Sequence, residues 1–387
     1  MESLHVSPER ALQIIQSLLR IRTALPAGDE MDCAKYILSL FPKNKIKFHM
    51  LDHGHNRASL KISLSGKSSF NLALVGHMDT VGLGNPQVWR HSPFGADVEG
   101  DEVFGLGAMN MKGGLTSILM AALTLIESGM ELPVNLHLCF SADEEINGIG
   151  AGALLRSGLM DDMNEIIIAE PTTMKVGLAE KGALWLRLTV HGQSCHSALP
   201  DQGVSALEGF LEIARRIRQL FADERAHRLL GHSTCEITEL SAGTAPNALP
   251  PVAVGTLDIR ILPKTNYDAL MQEVKEITCG MEQEEPRLSI SIDSFNLQPP
   301  VGMNGKADMV KRIRQIFLRR GLPYEEIGIH TFTDASRLIP VLGVPFVIMG
   351  PGEHQRGYQA DESVSLTSIC QMANVYIDYI QSLAEVH

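Results

Sequence analysis

From Pro8 the apolar residues fall at Leu12, Ile15, Leu18 and Leu19, the spacing of one helix face. Ser7 stands where an N-cap is expected and Pro8 at the first helical position. A second helix is expected over 29–41. Short apolar or alternating segments follow at 46–51, 58–64 and 72–75, and the last is bounded by Gly76 as a buried strand would be. The pattern then predicts a helix over 112–127, a strand over 134–140, a helix over 150–157 and a strand over 165–169. Strands alternating with helices imply an α/β fold, a mostly parallel sheet flanked by helices, with functional residues beyond the carboxyl ends of the strands. His77, Asp79, Glu144, Glu145 and Glu170 all stand at such ends.

After about Lys181 the texture changes. Segment 183–190 alternates like a half-exposed strand, 204–221 is a long amphipathic helix, 235–240 and 252–261 read as strands, 267–282 as a helix and 288–292 as a strand. Strand-helix-strand-strand-helix-strand is a split βαβ (ferredoxin-like) layer. The expected organisation is therefore a catalytic domain in two parts, 1–180 and 294–387, with an inserted domain over 181–293. In the second part a helix is expected over 306–319, a strand over 345–349, the turn Gly350-Pro351-Gly352 and a closing helix over 366–383.

Composition narrows the classes. Hydrophobic content of 44% and charged content of 20% over 387 residues are those of a globular chain. A formal charge of −12 argues against nucleic acid, which calls for a basic face, and favours a small-molecule partner. The N-terminus lacks the basic start and apolar middle of a signal peptide, and no apolar run is expected to reach the roughly 18 residues that a membrane span requires. The expected location is cytoplasmic, with no membrane partner. The six cysteines form no CxxC pair and are expected to be reduced and buried.

The candidate chemistry starts at Gly76-His77-Met78-Asp79-Thr80, where an imidazole and a carboxylate two residues apart close a strand. Imidazole is a common zinc ligand, and a nearby carboxylate can bind the ion or fix the ring tautomer. In Asp143-Glu144-Glu145 adjacent acids point in different directions, so one can bind metal while the other acts as a general base. Taken alone, such a pair of acids at a strand end reads more simply as solvated loop. Glu170-Pro171-Thr172 closes another strand and offers a further ligand.

These stretches, with the run Gly105 to Gly114, Gly192 to Pro200, Gly243 to Pro250, Asp258-Ile259-Arg260, Thr333-Asp334-Ala335 and Gly350-Pro351-Gly352, resemble in order and spacing the metallo-aminoacylases and exopeptidases. That family includes acetylornithine deacetylase, succinyl-diaminopimelate desuccinylase and glutamate carboxypeptidases. The resemblance implies that His77 and Glu170 bind a first metal, Asp79 orients His77, Glu144 is the general base and Glu145 belongs to a second metal. It implies that His196 reaches a partner subunit's active site and helps stabilise the oxyanion, so that the inserted domain is a lid and dimerisation domain, and that Asn247 and Arg260 hold the substrate's carbonyl and carboxylate. An Arg fork suits a carboxylate. The bland readings are a structural histidine at His196 and a strand-edge salt bridge at Arg260.

Two ligand positions depart from the family pattern. The bridging Asp is replaced by Asn110, and the His expected four residues before Glu362 is replaced by Tyr358. Two dications about 3.5 Å apart repel by roughly 19 kcal/mol at an effective dielectric of about 20, and an amide brings no compensating charge. A tyrosine would have to lose a proton of pKa about 10 to bind strongly. The expectation is one divalent ion per chain, zinc first and manganese or cobalt as alternatives, at His77, Glu170 and the Asn110 oxygen. The expected enzyme is a homodimeric amidohydrolase that cleaves the C–N bond of a small N-acyl amino acid or related carboxylate. The alternatives are a non-catalytic ligand-binding protein on the same fold, and a dinuclear deacylase in which His354 substitutes for Tyr358.

Overall fold

The computed structural model describes residues 4–353 and 359–385. Residues 354–358 lie outside it, so the expected roles of His354 and Tyr358 fall outside the described residues. The chain divides into two compact units: one comprises 1–178, 303–327 and 333–387, the other 179–302 and 328–332.

In the first unit helix Pro8–Arg20 begins as its sequence dictates, with Ser7 Oγ accepting from the Arg10 amide and Pro8 in the first turn. The sheet runs in the order Lys47–Gly54, Arg57–Leu64, Asn135–Ser141, Asn71–His77, Glu165–Ile168, Phe346–Ile348, Val176–Glu180. Its four central strands are parallel, and antiparallel strands extend it on both sides. Leu72, Leu74 and Val75 are fully buried, as expected of a strand covered on both faces. Helices Pro8–Arg20, Gly113–Glu127, Asp308–Arg319 and Leu366–Ser382 pack together, while Glu30–Ser39 and Ile149–Arg156 pack on Arg57–Leu64.

Several elements differ from the expectation. The helix expected from 112 starts at Gly113, behind an irregular π-helical turn at Ala108–Lys112. By length and composition the stretch Ala108–Glu127 could cross a membrane, contrary to the reading of the apolar runs, but it is mostly buried in the fold, as in a core helix. Helix Ala335–Leu342 was not expected because Pro340 lies inside it. Strand Val176–Glu180 and a small sheet of Val98–Glu99, Glu102–Phe104 and Ser363–Ser365 are also additional. Of the six free cysteines, four are buried; Cys195 is half-buried and Cys279 exposed, which corrects the expectation of buried thiols.

The second unit contains Gly182–His191, Ala206–Gln219, Thr234–Ala242, Val252–Ile261, Tyr267–Glu284 and Ser289–Gln298 in the expected split βαβ order. Its antiparallel sheet has the order Thr234–Ala242, Val252–Ile261, Gly182–His191, Ser289–Gln298. Leu184, Leu186, Leu188 and Val190 alternate onto one face and share a core with Phe210, Ile213, Ile217 and Val274 of the helices.

Candidate metal centre

Parallel register brings the acidic motifs together in the first unit. His77 is level with Ser141, and Val75 with Ile168, so the chain leaves three neighbouring strands at one edge. The Met78 amide donates to Ser141 O and the Ala169 amide to Val75 O, each at 2.9 Å. The run from Gly105 is seated there by close contacts that exclude side chains. A Cβ on Gly107, at φ +80°, would lie 2.2 Å from Thr80 Cγ2, and one on Gly114 would lie 2.1 Å from Ala169 O. Asn110 is thereby buried between the strand ends, and its peptide bond to Met111 is cis.

Donor atoms of His77, Glu144 and Glu170, all buried, lie within 4.8 Å of one another. His77 Nδ1 is 2.9 Å from the Asp79 carbonyl oxygen, which can only accept, so Nδ1 carries a proton and Nε2 is the ring nitrogen turned toward the two glutamates. Nε2 faces Glu170 Oε1 at 3.3 Å and Glu144 Oε2 at 3.9 Å. The Asp79 carboxylate accepts from the amides of Glu144 at 3.1 Å and Glu145 at 3.2 Å, and so holds the acid loop against the histidine strand. Glu145 turns elsewhere: its Oε1 accepts from Asn110 Nδ2 at 2.9 Å.

Charge in the site is tightly balanced. Burial pushes Glu144 well above the usual carboxylate range; His77 opposes this, and Glu170, Glu145 and Asp334 add to it. Burial works against protonation of His77, but Glu170, Asp79 and Glu144 outweigh it and hold the imidazole well above its ordinary value. Burial also disfavours ionised Asp79, yet the His77 ring and the two amides leave its carboxyl below the usual range. An imidazole nitrogen and two carboxylates that require a neighbouring positive charge fit a divalent cation.

The sequence left further groups without a role. Asp334, singled out only as part of a motif, is pushed up to about 6 by burial, against a 2.5 Å hydrogen bond from Ser141 Oγ. Burial pushes Glu362 up to about 8 while the Gly107 and Ala108 amides oppose it. Lys112 Nζ is bound by the carbonyls of Leu18 at 2.9 Å and Ile21 at 2.8 Å. Arg57 donates to Asp143 Oδ1 at 2.8 Å. Asp143, Asp334, Lys112 and Glu362 stood in or beside the motifs of the sequence, but nothing there gave them partners, and Arg57 carried no signal beyond its charge.

His196, Asn247 and Arg260 all belong to the second unit. The backbones of the first two adjoin, with the Ser197 amide donating to Asn247 O at 2.9 Å and a bridge between His196 and Ala248. Arg260 donates from Nε and Nη2 to Asp258 at 2.7 and 2.8 Å, and its guanidinium lies 5.8 Å from the Phe332 ring. Nη1 is buried without a hydrogen-bond partner.

Residues 73–382 match peptidase family M20/M25/M40. The chain belongs to that family. The Probable succinyl-diaminopimelate desuccinylase of Staphylococcus aureus strain N315 is 24% identical, and the alignment covers 98% of this chain and 97% of that protein. Among solved structures, the aminopeptidase PepT of Bacillus cereus superposes with a TM-score of 0.80 at 19% identity, covering 98% of this chain and 99% of the other. The YXEP protein of Bacillus subtilis, described as a dinuclear metal binding peptidase, gives 0.74 at 15% identity over 98% and 99%. As an M20 member the chain is a metallohydrolase of amide or peptide bonds. The non-catalytic reading is thereby set aside.

Proposed function

We propose that this M20 enzyme is a deacylase of small N-acyl amino acids or related carboxylates, working with one divalent ion per chain. The observation that carries this reading is the convergence of His77, Glu144 and Glu170 within 4.8 Å in a buried site. His77 Nε2 and Glu170 would hold the ion, zinc first, with Glu144 beside them. Bound there, the ion supplies Lewis acidity toward a carbonyl or a water. Glu144, whose pKa burial raises, takes a proton from the attacking water and gives it to the leaving nitrogen as the C–N bond breaks. Asp79 keeps the His77 tautomer and the acid loop in register.

The Asn110 to Glu145 hydrogen bond supports the single-ion reading, because it engages a carboxylate that the resemblance assigns to a second ion. Asn247 and the unpartnered Arg260 Nη1 are the proposed contacts to substrate, and His196 the proposed contact across a homodimer. The exposed outer strand Thr234–Ala242 favours pairing of two inserted units. Six unpaired cysteines suit the reducing cytoplasm.

Turnover of a panel of N-acyl amino acids by the parent and by Glu144→Gln tests the proposal. Release of free amino acid by the parent and its loss in the variant are expected; equal turnover by both would remove Glu144 as the base.

A further inference from the structure

The acid loop that carries Glu144 is held from behind by a buried ion cluster. Arg57, at the start of Arg57–Leu64, donates from Nε to Glu30 Oε2 at 3.0 Å and from Nη2 to Glu30 Oε1 at 2.5 Å. Its third nitrogen, Nη1, donates to Asp143 Oδ1 at 2.8 Å. Glu30, in the first turn of Glu30–Ser39, also accepts from the Asp143 amide at 3.2 Å. Asp143 is thus gripped by its side chain and by its backbone. The side chains are well covered, with exposures of 17% for Arg57, 0% for Glu30 and 2% for Asp143.

What is gripped is a strained turn. Asp143 has φ +60°, a region few side chains adopt and which persists where the surroundings over-determine it. Its carbonyl accepts from the amides of Asn147 at 3.2 Å and Gly148 at 2.6 Å, which closes the loop behind Glu144 and Glu145. On the other side the Asp79 carboxylate accepts the Glu144 and Glu145 amides. Glu144 therefore sits between two clamps, one beside His77 and one built by helix Glu30–Ser39 and strand Arg57–Leu64.

We infer that Arg57 and Glu30 are positioning residues for Glu144: their bidentate pair fixes Asp143, and Asp143 fixes the direction in which the next side chain leaves the strand end. The inference rests on the reading of Glu144 as the base. The planar guanidinium is essential because it serves two carboxylates at once, whereas a lysine at this position is a point charge without the fork. A general base displaced by about 1 Å loses about 100-fold in rate while substrate affinity, set elsewhere, changes little.

The test compares Arg57→Lys and Glu30→Gln with the parent and with Glu144→Gln. Two readouts are taken on each protein with matched circular dichroism: hydrogen exchange of the amides in 143–148, and kcat and KM on the best N-acyl amino acid. Arg57→Lys is expected to speed exchange in 143–148 about 10-fold or more, with protection in Asn71–His77 unchanged. Its kcat is expected to fall about 100-fold with KM within about 3-fold. Parental exchange at 143–148, or a parental kcat despite faster exchange, would overturn the inference. If Arg57→Lys does not fold, Glu30→Gln, which leaves the Arg57 to Asp143 pair intact, carries the same two readouts. An active Glu144→Gln would count against the base assignment alone, because the exchange data decide independently whether Arg57 holds the loop.

Discussion

The side-chain amide of Asn110 donates to Glu145 Oε1 at 2.9 Å. A carboxylate at position 110 could not make this contact without a shared proton, since both groups would be acceptors. The family pattern places an acid there to bridge two ions. The chain instead has an internal hydrogen bond at the position where the second ion would need charge. Restoring the two family residues is therefore expected to restore the second site. Asn110→Asp combined with Tyr358→His should take up two zinc ions per chain by calorimetric titration, and the parent one.

Glu144→Gln keeps the shape of the side chain and removes its ability to take a proton. Loss of a general base lowers the rate by about 100- to 10,000-fold. The variant should bind zinc within about 10-fold of the parent, with kcat reduced in that range, as separate titration and turnover assays will report.

Asp79→Asn replaces a carboxylate that accepts two amides with a group having one accepting oxygen. One buried N–H of the acid loop then lacks an acceptor, a loss of about 1–3 kcal/mol in stability. The same carboxylate lies 3.5 Å from His77 Nδ1, and disturbing a group that supports a ligand imidazole weakens metal binding by about 10- to 100-fold. Denaturant melts and zinc titrations of this variant should both register the change.

Glu362 supplies a pH signature in metal-free protein. Burial pushes its carboxyl up from the ordinary 4.5 to about 8, so the folded state holds a proton that the unfolded chain has released between those values. Its contribution is present below about pH 4.5 and is lost as pH rises through about 8. Over that window the parent should lose stability relative to Glu362→Gln by an amount of order a few kcal/mol. Melting temperatures of the two proteins at pH 5 and pH 9 will measure it; parallel profiles would remove Glu362 as the source.

Much of this architecture was legible in the chain because burial writes a period into the sequence. The alternation in Gly182–His191 and the cap at Ser7 lead to the observed elements almost directly. Ala335–Leu342 was hidden because Pro340 normally marks a break, and Glu102–Phe104 because three residues carry too little periodicity. In the site, His77, Glu144 and Glu170 were visible as polar residues at strand ends. The Arg57, Glu30 and Asp143 cluster was not, since its members lie 27 and 86 residues apart and only folding brings opposite charges together. Nor could sequence say that Asn110 turns its amide nitrogen toward Glu145, which depends on the irregular turn at Ala108–Lys112.

One ion per chain, held by His77 and Glu170 beside Glu144, is the proposed state of the site. Elemental analysis of protein purified without chelator tests it most directly. One equivalent of zinc, manganese or cobalt per chain in the parent, and none in His77→Ala, is the predicted result. Two equivalents per chain in the parent would contradict it.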